Sequence, residues 1–202
     1  MSSSNPLQKR LKLEARGFTV IELMVTIAIV VLVTGLIMIQ YSSFNNSILL
    51  RNQAYLTAFD VREAQALAVS VKGNTAEFRE EYGLFFDIST PTNYLLFQDD
   101  DARGKYYPAR YNVGEQVGVP YRVDPRFFIK DICATDSVSR TCYRQNPALR
   151  SIAVSFRRPD FEASFYTTAK TNIQSVEIFF GTNDSSIERS VTIYKTGQVS
   201  VN

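Results

Sequence analysis

Apolar residues run almost unbroken from Phe18 to Ile39, and the one charge among them is Glu22. At 1.5 Å rise per residue, about 22 residues make a helix of about 33 Å, enough to cross a hydrocarbon core of about 30 Å. From Tyr41 to Val71 polarity rises while helical spacing persists, with Ile48, Tyr55, Leu56, Phe59, Ala66, Leu67 and Val71 near intervals of three, four or seven. That is the pattern of an amphipathic continuation with one face buried in a domain. No proline interrupts residues 18–72, and Lys72-Gly73-Asn74 supplies a cation and a glycine as a helix stop. The pattern predicts one helix of about 55 residues, roughly 80 Å long. Gly35, beside Thr34, is its weak spot, because glycine inside a helix costs about 1 kcal/mol relative to alanine. It serves either helix stretching or close packing of neighbouring helices.

Beyond Gly73 the period changes from helical to two. Residues 82–88 and 93–98 are aromatic and aliphatic runs separated by Ser89-Thr90-Pro91-Thr92, which reads as a hairpin. Further strands are predicted over 126–132, 151–157, 163–167, 175–180, 190–195 and 198–201, the last two flanking a tight turn at Thr196-Gly197. Glu177 and Thr192, each between two aliphatic residues, fit strands with one wet face. The expected fold is α+β: a long N-terminal helix, transmembrane in its first half, whose second half packs on a domain of antiparallel sheet.

Charge sets the orientation. Lys9, Arg10, Lys12 and Arg16 precede the apolar run against Glu14 alone, and basic residues flanking a first helix favour the cytoplasmic side. The reading is a single-pass protein of the cytoplasmic membrane with its N-terminus inside and its head outside. A secretory signal has a shorter apolar region, about 7 to 15 residues, before a small-x-small cleavage site; Leu36-Ile37-Met38-Ile39 offers no such site. Glu22 is then the anomaly, since an acidic side chain at the centre of a transmembrane helix costs roughly 2.5 to 3.5 kcal/mol and implies a positive partner. The alternative is simple tolerance of a carboxylate near the headgroups.

The segment Gly17-Phe18-Thr19-Val20-Ile21-Glu22-Leu23 resembles the start of type IV prepilins, in which a short basic leader ends in glycine ahead of Phe-Thr-x-x-Glu-Leu and an apolar helix. The resemblance implies cutting between Gly17 and Phe18 by a prepilin peptidase, N-methylation of Phe18, and an assembly role for Glu22. A helix start has unpaired N–H donors and a positive dipole end, so an ammonium there needs a nearby anion, and Glu22 of a neighbouring subunit can supply it. Without residues 1–17 the 22 Lys plus Arg become 18 and the 20 Asp plus Glu become 19, a nearly neutral chain with no global signal for nucleic acid. The implied organisation is 1–17 leader, 18–39 transmembrane and assembly helix, 40–72 amphipathic continuation, and 73–202 β-rich head.

Within that superfamily, Arg62-Glu63-Ala64-Gln65-Ala66, the pair Tyr82-Gly83-Leu84-Phe85-Phe86-Asp87 and Tyr94-Leu95-Leu96-Phe97-Gln98-Asp99, and the closing run from Ser190 to Val199 look like GspH/FimT-like minor pseudopilins. The resemblance implies a low-copy subunit of a type II secretion pseudopilus. Its partners would be other pilins or pseudopilins, the peptidase, an inner-membrane assembly platform and, before assembly, lipid. A minor type IV pilin serving adhesion, motility or DNA uptake, and an unprocessed membrane-anchored binding domain, are the competing readings. Residues 104–146 have no counterpart in the family pattern.

Cys133 and Cys142, the two cysteines of the chain, sit in a segment expected outside the membrane, where a disulfide is the natural reading; free thiols and metal ligands are the alternatives. Zinc needs four ligands, mostly Cys and His, and the chain has no histidine, which also removes the Ser-His-Asp and Cys-His arrangements. The expectation is a non-enzymatic protein with no metal and no cofactor. Glu80-Glu81 and Asp99-Asp100-Asp101 read as solvated turns, the aspartate run lacking the regular spacing of a calcium loop. Arg140, Arg144, Arg150, Arg157 and Arg158, with Tyr143 and Phe156 between them, form a candidate nucleic-acid surface, since arginine and aromatics suit phosphate contact and base stacking. The bland reading is a solvated face with Asp136 and Asp160 as counterions.

Overall fold

The computed structural model describes residues 17–70, 81–99, 114–157, 161–183 and 187–202. The basic leader to Arg16, the helix stop at Lys72 and Gly73, Val71, Glu80, Asp100, Asp101, residues 104–113, Arg158 and Asp160 lie outside these. The chain divides into two compact units, Met1–Phe44 and Asn45–Asn202.

In the first unit, helix α1 (Val20–Val69, 50 residues in all) begins two residues later than the apolar run. Thr19 caps it: its hydroxyl accepts from Glu22 N at 3.3 Å and its carbonyl from Leu23 N at 3.1 Å. Residues Val20–Met38 have a mean hydropathy of 2.7 and none of them is buried. By length and composition this segment is able to cross a membrane once. The helix runs through Gly35 without a break, and a Cβ added there would meet nothing within 4 Å.

In the second unit the remainder of α1 lies on two five-stranded antiparallel sheets. The first has the order β3-β2-β1-β6-β7, built from β1 (Glu81–Asp87), β2 (Asn93–Asp99), β3 (Tyr121–Arg122), β6 (Ser151–Phe156) and β7 (Ala163–Tyr166). The second has the order β10-β9-β8-β4-β5, built from β4 (Phe128–Thr135), β5 (Arg140–Cys142), β8 (Ser175–Gly181), β9 (Glu188–Tyr194) and β10 (Val199–Val201). The α+β expectation and the helix-on-antiparallel-sheet arrangement are both present.

The face that α1 buries differs from the one the large residues advertise. Leu50, Ala54, Ala58, Val61, Ala64 and Ala68 are buried, with Gln53 and Thr57 among them, while Ile48, Tyr55, Leu56 and Phe59 are 44%, 50%, 58% and 66% exposed. Ala66 is exposed as well. The residues that the helix buries are mostly small, and the core is filled instead by Leu84, Phe86, Ile132, Ile152, Ile178, Phe180 and Ile193 from the strands and by Phe127 from the turn before β4. The larger apolar residues are thereby displaced to the outer side of the helix. Hydrogen bonds complete the seat: Gln53 Oε1 accepts from Asp124 N at 3.0 Å, Gln65 Nε2 donates to Gly197 O at 2.7 Å, and Tyr121 donates to Glu63 at 2.9 Å. At its end, Ser70 turns its hydroxyl back to Leu67 O at 3.0 Å.

The predicted hairpin is present, with Leu84 opposite Leu96. Asp87 Oδ1 organises its turn by accepting from Ser89 N and Ser89 Oγ at 2.8 and 2.6 Å. The predicted 126–132 strand starts later, at Phe128, because Asp124 and Arg126 form a turn in which Phe127 N donates to Asp124 O at 2.8 Å. The Arg126 guanidinium holds the Asp124 carboxyl down, to about 2. A bulge then falls at Lys130, between Ile129 and Asp131. Two short edge strands, β3 and β5, arise from the region that shows no alternation in sequence. Thr192 is buried rather than wet, and its hydroxyl accepts from Asn202 Nδ2 at 3.1 Å.

Gly197 makes the expected turn between β9 and β10, with φ +82°. Gly83 is required for a different reason. A Cβ there would lie 2.4 Å from Val154 O and 2.7 Å from the Phe97 ring, so β1 and β6 could not keep their separation. Overpacking of this kind costs about 1–3 kcal/mol. Urea denaturation of Gly83→Ala is expected to show at least that loss of stability, and an unchanged midpoint would show that the strands part without penalty.

Candidate functional site

Two sets of residues come forward from the sequence, one at the start of α1 and one in the head. At the start of α1, Gly17 and Phe18 precede the helix and are exposed, Phe18 at 75%. Thr19 and Glu22 occupy the first and last positions of a Thr-x-x-Glu capping motif. The half in which the Thr19 hydroxyl accepts from Glu22 N is formed. Glu22 thus sits in the first helical turn, where the dipole of the helix favours an anion. Local structure alone therefore places a carboxylate at the foot of an apolar rod, next to the chain position that cutting after Gly17 would turn into an ammonium. The capping role is a feature that sequence reading missed, although Thr-x-x-Glu before an apolar run is its signature.

In the head, Cys133 on β4 and Cys142 on β5 are opposite one another in register and are joined by a disulfide, S–S 2.00 Å. Asp131 places a carboxylate oxygen within 4.8 Å of both sulfurs. The sulfurs are bonded to each other, so the group offers a metal no thiolate. The hairpin that the disulfide closes is held again at its tip: Asp136 Oδ1 accepts from Val138 N at 2.7 Å and Ser139 N at 2.8 Å. Lys170 Nζ donates to Ser139 O at 2.6 Å and lies 3.1 Å from Asp136 Oδ2. Those backbone donors, with Lys170, hold the Asp136 carboxyl below its usual range.

The four described arginines of the candidate surface are divided between the two sheets. Arg140 lies on β5 and Arg144 in the turn after it, beside the second sheet; Arg150 and Arg157 flank β6 of the first. Each faces a carboxylate: Arg140 meets Glu177 at 2.5 Å, and Arg144 is 3.5 Å from both Asp131 and Glu188. Arg150 is 3.5 Å from Asp87, and Arg157 is 3.7 Å from Glu81. Lys130 also pairs with Glu188, and with Arg144 it keeps the Glu188 carboxyl below its usual range. Asp136, expected as a counterion from sequence proximity, pairs with Lys170 instead, and Asp160 lies outside the described residues. Phe156 is 2% exposed, so it packs in the core and is not available to stack on a base. Glu81, expected in a solvated turn, is 3% exposed in β1 and accepts from Ser155 Oγ at 2.7 Å.

No protein-family model, curated protein or solved structure matches the chain.

The geometry of the head yields two expectations. Replacing Cys133 and Cys142 by alanine removes the constraint on a short loop, which on the chain-entropy model is a loss of about 2.5 kcal/mol. Calorimetry under oxidising conditions should show it, and an equal Tm for the variant would mean that the hairpin is fixed by Asp136 and Lys170 alone. Because the arginines are paired, a gel-shift assay of the protein with duplex DNA at low salt is expected to show no retardation; retardation that Arg140→Ala or Arg150→Ala abolishes would restore the nucleic-acid reading.

Proposed function

We propose that this chain is a minor pseudopilin of a type II secretion system. In this reading it is cut between Gly17 and Phe18, N-methylated on Phe18, and built into a pseudopilus through its N-terminal helix as a structural subunit without chemistry of its own. The observation that carries the reading is the Gly-Phe-Thr-x-x-Glu start, placed so that a capped helix with an exposed apolar surface follows it at once.

The physics supplies the mechanism. Before cutting, four basic residues in the leader resist crossing the bilayer and keep the subunit in the membrane as a reservoir. After cutting, the helix bears an ammonium at its first residue and a carboxylate in its first turn. In a bundle, helix–helix contacts replace lipid contacts, and the Glu22 carboxylate of one subunit meets the terminal ammonium of the next in a medium where the attraction is stronger than in water. That pairing sets the axial register. The outward residues Ile48, Tyr55, Leu56 and Phe59 support the same reading, since they are apolar surface that the head leaves uncovered.

A minor type IV pilin would use the same start and helix, and the genes beside this one separate the two: secretion-channel genes favour the first, retraction-motor and competence genes the second. Glu22→Ala tests the pairing. The variant is expected to insert in the membrane and be cut normally, yet to be lost from sheared filaments. Incorporation at the wild-type level would overturn the role of Glu22.

A further inference from the structure

The helix in the second unit is held to the first sheet by two tyrosines that address two carboxylates one helical turn apart. Tyr94, on β2 and 2% exposed, donates its hydroxyl to Asp60 and lies 3.3 Å from Thr57 Oγ1. Tyr121, on β3, donates to Glu63 at 2.9 Å. The rings form a stack that starts in the core, Phe86 to Tyr94 at 5.0 Å between centroids and Tyr94 to Tyr121 at 5.4 Å. Among the described residues no lysine or arginine pairs with Asp60 or Glu63. Arg122 neighbours Tyr121 on β3, but successive strand side chains point to opposite faces, and its side chain is exposed.

We propose that the Asp60–Tyr94 contact, with the Glu63 charge one turn on, forms an acid-strengthened clasp, which grips the helix more firmly to the head as the surroundings acidify. The inference stands on geometry and does not depend on the proposed function. Asp60 is half-buried and Glu63, one turn on, is exposed; neutral hydroxyls are their donors, and among the described residues neither has a counterion. Taking up one proton removes both the repulsion and the burial of a charge. It leaves each tyrosine an acceptor, because a protonated carboxyl keeps a carbonyl oxygen. Burial accordingly raises the Asp60 carboxyl above its usual range against the opposing Tyr94 bond, and the Glu63 charge raises it further. Burial and the carboxylates also push both tyrosine hydroxyls up, so the tyrosines remain donors across the physiological range.

The sign follows from linkage. A carboxyl whose folded value lies above its unfolded one opposes folding while it is ionised, and that opposition fades as the pH falls through the folded value toward the unfolded one. Other carboxylates, such as Asp124, Asp136 and Glu188, are held down by their partners and act oppositely in acid, so the test is a comparison of variants.

Full-length protein in detergent and its Asp60→Asn variant, which keeps an acceptor for Tyr94 without the charge, are melted from pH 8 to pH 4. The variant is expected to melt higher at pH 8, by about 2 °C or more, a gap that a fraction of a kcal/mol to about 1 kcal/mol produces in a chain of this size. The gap should close as the pH reaches 4. A gap that does not change with pH, or a variant that melts lower at pH 8, overturns the clasp. If the variant does not fold, the Asp60 carboxyl is followed by NMR in the wild-type protein and in Glu63→Gln. Its midpoint should lie above 3.8 and move down in Glu63→Gln, and a midpoint at or below 3.8 is equally fatal.

Discussion

A fifty-residue helix with large apolar side chains exposed along it is the constraint from which the rest proceeds. Val20–Met38 is exposed throughout. In the second unit the helix gives the head only its small residues, Ala54, Ala58, Ala64 and Ala68, with Leu50 and Val61. By length and composition the first part of such a helix is able to cross a membrane once. The head is self-sufficient by contrast: its two sheets share one continuous core with the inner face of the helix, and its charged side chains are largely paired across neighbouring strands.

This division of labour gives the assembly proposal its physical form. The outer residues of the helix in the second unit are not part of the buried core, so that surface is open to exchange one apolar environment for another. Register is the remaining problem, because apolar contacts slide, and a charge pair does not. The sequence puts a carboxylate where the helix start already favours an anion, and Thr19 fixes the frame of that first turn. The acid-strengthened clasp acts at a separate place, on the grip between helix and head, and stands or falls by itself.

The outline of the fold was legible because it rests on periodicity. The helix, the hairpin around 89–92 and six further strands all follow from apolar spacing and turn residues, and the disulfide from the compartment the head was expected to occupy. What was misread has a common cause. Spacing shows that a helix has two faces but does not say which is buried: the large residues Tyr55, Leu56 and Phe59 point to one face, whereas the face that packs on the core is mostly alanine. Phe156 and Glu81 were misplaced in the same way, since a core aromatic and a buried carboxylate beside Ser155 are set by cross-strand neighbours distant in sequence. The strands β3 and β5 are too short to show alternation and exist because β2 and β4 offer them an edge. The start of α1 was legible as a family-like motif, while its capping geometry emerged only from the hydrogen bonds.

The central claim is that a new ammonium at Phe18 is what Glu22 waits for, and the most direct measurement is the mass of the N-terminal peptide of the protein recovered from assembled filaments of its native host. The account predicts a chain that begins at Phe18 and carries one methyl group on its terminal nitrogen. Filament-borne protein that still carries residues 1–17 would contradict it.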